Sequence, residues 1–253
     1  MTSVSIECAD GIAVVTINRP KERNAVNLEV AEGIAAAMDE FEARADLAVA
    51  ILTGAGGTFC SGLDLKAFTR GEIPIIPDRG FGGLTEKPPA KPLIAAVEGW
   101  ALAGGCEIAL TADLIVAARD ARFGLPEVKR GLVAGAGGLL RLPKTLPYQL
   151  AMQMALTGDP IAAETAHAHG MVNVLTEPGQ ALAAARELAA KVAANGPLAV
   201  RTSKRIVAMS VDYGDAAAFA AQQALVEPVL RSADALEGAR AFAEKRPPIW
   251  TGA

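Results

Sequence analysis

Apolar residues recur along this chain with two different periods. The runs at 12–17 (IAVVTI), 48–53 (AVAILT) and 93–97 (LIAAV) are short and almost continuously apolar. The first stops at Asn18-Arg19-Pro20 and the second at the GAGG of 54–57. Runs of this length bounded by turn residues predict buried strands. From 28 to about 45 the spacing becomes helical, with Leu28, Ala31, Ile34, Met38 and Phe41 on one face and Asn27 placed to cap it. Helical spacing returns after Gly104-Gly105, where Ile108, Ala109 and Ala112 share a face. The AGAGG of 134–138 predicts a glycine-led start to another short helix, broken by Leu142-Pro143 and Leu146-Pro147. A helix at 149–157, a short helix ended by Gly170 and a strand at 171–176 follow. Beyond Pro178 the pattern is almost all helix: 180–194, a second helix starting at Pro197, and others punctuated by Gly214 and Pro228. The order predicts an α/β core followed by a helical region, without specifying how the strands stack.

Residues 70–90 (RGEIPIIPDRGFGGLTEKPPA) carry Pro74, Pro77, Pro88, Pro89 and Gly71, Gly80, Gly82, Gly83. No regular period survives there. A loop of this kind is expected to be mobile without ligand, with few backbone hydrogen bonds. Its apolar residues Ile73, Ile75, Ile76, Phe81 and Leu84 give it a side that a solvated linker does not need and suit a lid over a substrate; a plain surface loop is the alternative.

Composition narrows the function. Of the 253 residues, 51% are hydrophobic and 21% charged, which is ample for a packed core. A net charge of −4 and an acidic 28–44 segment argue against a nucleic-acid surface. No apolar run approaches the ~18 residues that would cross a bilayer. The first residues lack a basic stretch followed by an apolar one, so a soluble, cytoplasmic protein without membrane contact is expected. Cys8, Cys60 and Cys106 form no CxxC pair, and His167 and His169 sit two apart, so neither a disulfide framework nor a metal site is expected.

The candidate chemistry lies in 91–131. There an apolar run breaks at glycines and opens a helix, which leaves unpaired N–H groups at the helix start. Such a start favours an oxyanion or a phosphate. Glu107 sits in that first turn, and Glu127 follows Pro126 in the loop FGLPEVKRG. Taken singly, Glu107 reads as a dipole or capping residue and Glu127 as a solvated turn residue.

The whole arrangement resembles the crotonase (enoyl-CoA hydratase/isomerase) superfamily. KPLIAAVEGWALAGGCEIALTAD, FGLPEVKRGLVAGAGG and TFCSGLDLKAF follow its KPxIAAVxGxAxGGGxE, FxxPExxxGxxPxxGG and FxxGxDL patterns. The resemblance implies an α/β fold of ββα units wound into a superhelix, with C-terminal helices that mediate trimers or a dimer of trimers. It divides the chain into a core at 1–195 carrying the acyl-CoA site and a helical region at 196–253 that oligomerises and closes the CoA site. It also implies hydration of a trans-2-enoyl-CoA to a 3-hydroxyacyl-CoA, or the reverse. The backbone N–H groups of Leu63 and Gly104 would form the oxyanion hole. Glu107 would activate water, and Glu127 would deliver the proton to C2. Ala103 stands where the family's glycine run begins. Ser61 and Leu65 are candidates for backbone contacts to CoA, and Lys66 and Lys245 for its phosphates. No separate cofactor is implied, since coenzyme A belongs to the substrate. Alternatives are a Δ3,Δ2-enoyl-CoA isomerase, to which retention of both acids is less suited, and a non-catalytic acyl-CoA binder. LRLPKTLP and the tail EGARAFAEKRPPIWTGA look like the branch containing carnitinyl-CoA dehydratases.

Overall fold

The computed structural model describes residues 2–210 and 215–252. In chain order its main elements are β1 (Val4–Ala9), β2 (Ile12–Ile17), α1 (Leu28–Ala43), β3 (Val49–Gly54), α2 (Leu65–Phe68), β4 (Ile75–Ile76), β5 (Gly80–Phe81), β6 (Leu93–Val97), β7 (Trp100–Leu102) and α3 (Gly104–Ala109). They continue with β8 (Leu114–Ala118), β9 (Arg122–Gly124), α4 (Gly138–Thr145), α5 (Tyr148–Thr157), β10 (Ile161–Ala162), α6 (Ala163–Ala168), β11 (Val174–Thr176), α7 (Ala181–Ala193), α8 (Pro197–Met209), α9 (Asp215–Leu230) and α10 (Ala233–Glu244).

The main sheet runs β1-β2-β3-β6-β8-β11. Only the β1–β2 pair is antiparallel; β2–β3, β3–β6, β6–β8 and β8–β11 are parallel. Its central strands are almost entirely apolar because both faces are covered. Alternation sends Ala13, Val15, Ala50, Leu52, Ala95 and Val97 into the larger core, together with Val30, Ile34, Met38 and Phe41 of α1. Val14, Ile51, Ile94 and Val116 face the other way, onto Ala181, Ala185 and Ala189 of α7. Those three alanines stand one turn apart, which lets the α7 backbone lie close on the sheet. A smaller sheet, β10-β9-β7, follows from the main one through Gly99, between β6 and β7.

Asn27 caps α1 as expected, its side chain accepting from the Val30 N–H. Ala31, Ile34, Met38 and Phe41 are buried, whereas Leu28 at the helix start is 36 % exposed. Several expectations are corrected. α3 begins at Gly104 itself and ends before Ala112. The apolar run after it is strand β8, whose onset merged in the sequence with the helical pattern. β1, β7, β9 and β10 are strands whose two to six residues were too short or too amphipathic to stand out. β11 starts at Val174, three residues later than expected. α4 continues through Pro143, with buried Leu142 accepting the closing bond from Leu146 N at 2.9 Å. α9 likewise runs through Pro228. A proline this late in a helix removes a single N–H bond and leaves the earlier turns intact. Gly214 lies outside the described residues. No described helix is long and apolar enough to cross a membrane.

The 70–90 segment is more structured than its prolines and glycines suggest. β4 and β5 form a two-residue ladder. Gly82 N donates to Pro74 O at 2.9 Å, Glu86 N to Arg79 O at 2.9 Å and Lys87 N to Leu84 O at 3.1 Å. Leu84 is fully buried in the main core. Gly83 packs so closely on α1 that a Cβ would stand 2.4 Å from Ala31 O. These glycines allow backbone-to-helix contact, so the expectation of few backbone hydrogen bonds fails.

Candidate active site

Two loops meet at the edge of the small sheet. Cys60 N donates to Trp100 O at 2.9 Å and Leu102 N to Cys60 O at 3.0 Å, stitching 60–65 to 100–105. The contact is tight because glycines face each other. A Cβ on Gly105 would lie 2.2 Å from Cys60 O. Gly62, at φ +91°, would place one 2.8 Å from Leu102 O and 3.0 Å from Gly104 N. On its other side the 62–64 segment pairs with Val26, through Val26 N to Gly62 O (2.7 Å) and Asp64 N to Val26 O (2.9 Å). Alternate residues of such a pair turn their N–H groups to opposite sides, so Leu63 donates nothing to it. Gly104 is the first residue of α3, where amides have no partner within the helix. Among the described residues, neither the Leu63 nor the Gly104 N–H has an acceptor. Ala103 reaches Gly104 through φ 51°, ψ −129°, a conformation natural to glycine. Holding a side chain there costs on the order of 1–3 kcal/mol.

The two carboxylates stand differently. Glu107 is 3 % exposed. Its Oε1 accepts from Ala136 N at 2.8 Å and from Gly138 N at 2.9 Å, across from its own helix. Glu107 is therefore not the cap of α3. Oε2 makes no hydrogen bond to any described residue. Burial pushes its carboxyl up, while the two amides and the Arg141 charge pull the other way. Glu127 opens the 3₁₀ turn Pro126–Arg130, with Pro126 fixing the approach. Its Oε2 is buried without a hydrogen-bond partner among the described residues. Burial, reinforced by the Glu107 charge, pushes its carboxyl up to about 7.

Both acids line one cavity of about 680 Å³. Ser61, Leu63, Leu65, Lys66 and Gly104 line it too, so the structure gathers seven of the eight residues singled out in the sequence. The eighth, Lys245, ends α10 in a left-handed conformation and does not line it. No described residue beyond Ala136 does, so within one chain the C-terminal helices leave the cavity open. Asp64 anchors the Leu65–Lys66 wall by accepting from Lys66 N and Ala67 N at 3.0 and 3.1 Å and from Arg19 at 2.9 Å. Burial pushes the Asp64 carboxyl up, but those donors outweigh it and the net direction is down.

Sequence reading missed Lys21, Arg23 and Arg130, which add cations to the wall. The polar segment RPKERNAVN was the available signal for the first two. That segment is held by Asn24, fully buried, which donates to Ala55 O at 2.8 Å and Thr58 O at 2.6 Å. From the 70–90 segment, Ile73, Ile75 and Phe81 line the cavity, whereas Leu84 does not. The Phe81 ring lies over Gly104, where a Cβ would come within 2.3 Å of it. An apolar wall, two unpaired amides and two acids with raised pKa suit a carbonyl compound whose oxygen gains charge while a neighbouring carbon exchanges a proton.

Comparison with known proteins agrees. The family model described as Enoyl-CoA hydratase/isomerase matches residues 7–253. A carnitinyl-CoA dehydratase of Salmonella arizonae is 44% identical over 249 residues, 95% of each chain. The crystal structure of an enoyl-CoA hydratase from Mycobacterium tuberculosis H37Rv is 60% identical, with a TM-score of 0.98 over 100% of both chains. That of a carnitinyl-CoA hydratase from Mycobacterium avium is 40% identical, with a TM-score of 0.81 over 100% of both. With its fold and nearly its whole length matched, the chain belongs to the enoyl-CoA hydratase/isomerase family of the crotonase superfamily, enzymes whose relatives named here are hydro-lyases.

Proposed function

We propose that this protein adds water across the double bond of a trans-2-enoyl-CoA, giving a 3-hydroxyacyl-CoA, or runs the reverse dehydration. The observation that carries the reading is the shared cavity of Glu107, Glu127 and the two unpaired amides. The thioester oxygen sits between Leu63 N and Gly104 N, which stabilise the enolate-like charge by about 2.7–4 kcal/mol per donor. A water lies between the carboxylates. Glu107, gripped through Oε1, takes its proton at Oε2 while the oxygen bonds C3. Glu127, protonated near neutral pH because of its raised pKa, gives a proton to C2. Addition from one side of the bond makes it syn. Coenzyme A enters as part of the substrate. Ser61 and Leu65 offer it backbone contacts, and Lys66, Lys21, Arg23 and Arg130 offer its phosphates charge.

The test is purified protein with crotonyl-CoA, following loss of the conjugated thioester absorbance. Turnover supports the reading; acyl-CoA binding without turnover makes the protein a carrier. The carnitinyl-CoA names among its relatives favour a second reading, dehydration of a polar hydroxyacyl-CoA. A panel of hydroxyacyl-CoAs distinguishes the two.

The domain reading joins this one. Residues 1–195 form the catalytic core, and 196–253 oligomerise it as a trimer or dimer of trimers. Exposed Val207, Leu230, Leu236 and Phe242 on the last three helices support that role. Lys245 then serves the CoA site of a neighbouring copy. Sedimentation at micromolar protein tests the assembly, and a monomer would overturn it. A cytoplasmic location follows from the same reading and is tested by fractionation.

A further inference from the structure

Glu107 is held by two amides, and those amides need support of their own. Ala136 lies in the loop before α4 and Gly138 is the first residue of that helix, with the chain turning between them through Gly137 at φ +96°. Beneath that turn lies the Arg141 side chain. A Cβ on Gly137 would stand 2.3 Å from Arg141 Nη1. Arg141 Nη1 donates to Ala136 O at 3.4 Å, the carbonyl of the residue whose N–H grips Glu107. Its other arm, Nη2, donates to Thr85 O at 2.6 Å. Thr85 in turn donates its N–H to Phe81 O, and the Phe81 ring covers Gly104. Arg141 does not line the cavity, so it touches no substrate.

We propose that Arg141 is the positioning residue for Glu107, bracing the amides that grip the carboxylate and tying them to the Phe81–Thr85 turn over the oxyanion glycine. The planar fork matters because its two arms reach different segments at once; an ammonium has no such geometry. Charge matters separately. The groups facing Glu107 are Arg141 from α4, Glu127 from the 126–130 turn, and the Cys106 thiol of its own helix, which burial keeps protonated. Arg130 faces Glu127. Among the described residues Arg141 is thus the cation acting on Glu107, and it favours the ionised base.

The inference rests on the hydratase reading, and the experiment separates the two. Wild type, Arg141→Gln and Arg141→Lys are compared for kcat and KM with crotonyl-CoA across pH, alongside binding of unreactive butyryl-CoA. If wild type turns over no enoyl-CoA, the hydratase reading fails. If it is active, Arg141→Gln should lower kcat by about 10–100-fold, the usual range for a group that orients a functional ligand, with butyryl-CoA affinity unchanged. The acid limb of its kcat profile should move to higher pH, since Glu107 has lost the nearby cation. Arg141→Lys should keep the limb in place while still losing kcat, because charge is retained without the fork. Should Arg141→Gln fail to fold, Arg141→Lys carries the test alone. A folded Gln variant with wild-type kcat and pH profile, or a Lys variant with wild-type kcat, overturns the proposal.

Discussion

Gly138 and Glu107 are in contact: a methyl group on Gly138 would lie 2.8 Å from the Glu107 Cγ and 3.1 Å from its Oε1. The glycine is there to let the carboxylate reach the Gly138 N–H. Gly138→Ala should push Glu107 off its amides while leaving the helix intact, since alanine is the better helix former. A displacement of this kind costs up to about 100-fold in rate. We expect kcat for crotonyl-CoA to fall by that order, with the melting temperature little changed. Unaltered kcat would mean that the amide grip is dispensable.

Gly62 keeps the Leu63 and Gly104 amides, the proposed oxyanion donors, adjacent. Gly62→Ala forces a side chain onto φ +91° and drives its Cβ against Leu102 O and Gly104 N. Backbone cannot yield there as a side-chain tip would. Losing the alignment of one donor should reduce kcat about 100-fold or more, and stability should fall by about 1–3 kcal/mol. Steady-state kinetics beside urea denaturation checks both.

Glu107→Gln and Glu127→Gln should each reduce turnover by orders of magnitude with acyl-CoA binding nearly intact, because in the proposed mechanism both acids act on protons. Kinetics beside direct binding decides this; lost binding with normal turnover would sink the assignment.

Glu127 also ties stability to pH. Its carboxyl rises from 4.5 to about 7 on folding. Between those values the folded protein keeps a proton that the unfolded chain releases, so stability declines as pH climbs through the window. Glu127→Gln removes that decline. At about pH 8 the variant should be more stable than wild type by on the order of 1–2 kcal/mol, the full shift being discounted because the carboxyl is partly exposed to solvent, and near the acid end of the window the difference should vanish. Urea midpoints at both pH values measure it; equal gains at the two would assign the effect to packing.

Asn24 is a structural knot. It sits at φ 55°, accepts from Arg19 N at 2.9 Å and donates to two carbonyls of the 55–58 loop. Asn24→Ala leaves those groups unpaired in a buried place and strains the backbone. A loss of about 3 kcal/mol or more is expected by denaturant midpoint, well beyond that of an exposed substitution.

What could be read along the chain was whatever repeats locally. The strands at 12–17 and 93–97 and the face of α1 were legible because burial imposes a period on consecutive residues. The glycines of 62 and 104–105 were legible as a motif. So were Glu107 and Glu127, though only through family resemblance, since each alone has an ordinary capping or turn explanation. The short strands β7, β9 and β10 were not legible, because two or three residues carry no period. The 70–90 segment misled because glycine and proline report loss of regular structure, not loss of packing.

The sequence by itself determined which residue types stand beside the glycines and where the main strands and helices fall. Tertiary structure alone decided what each group meets. It turned Glu107 away from its own helix onto the amides of residues 136 and 138, left Glu127 Oε2 without a partner, set Phe81 on Gly104 and placed Arg141 beneath the loop. The reason is physical. Periodicity and capping arise between residues a few positions apart, where backbone geometry fixes the spacing. Burial, hydrogen-bond satisfaction and the resulting pKa shifts depend on partners some twenty to sixty positions away, brought together only when the two sheets close on each other.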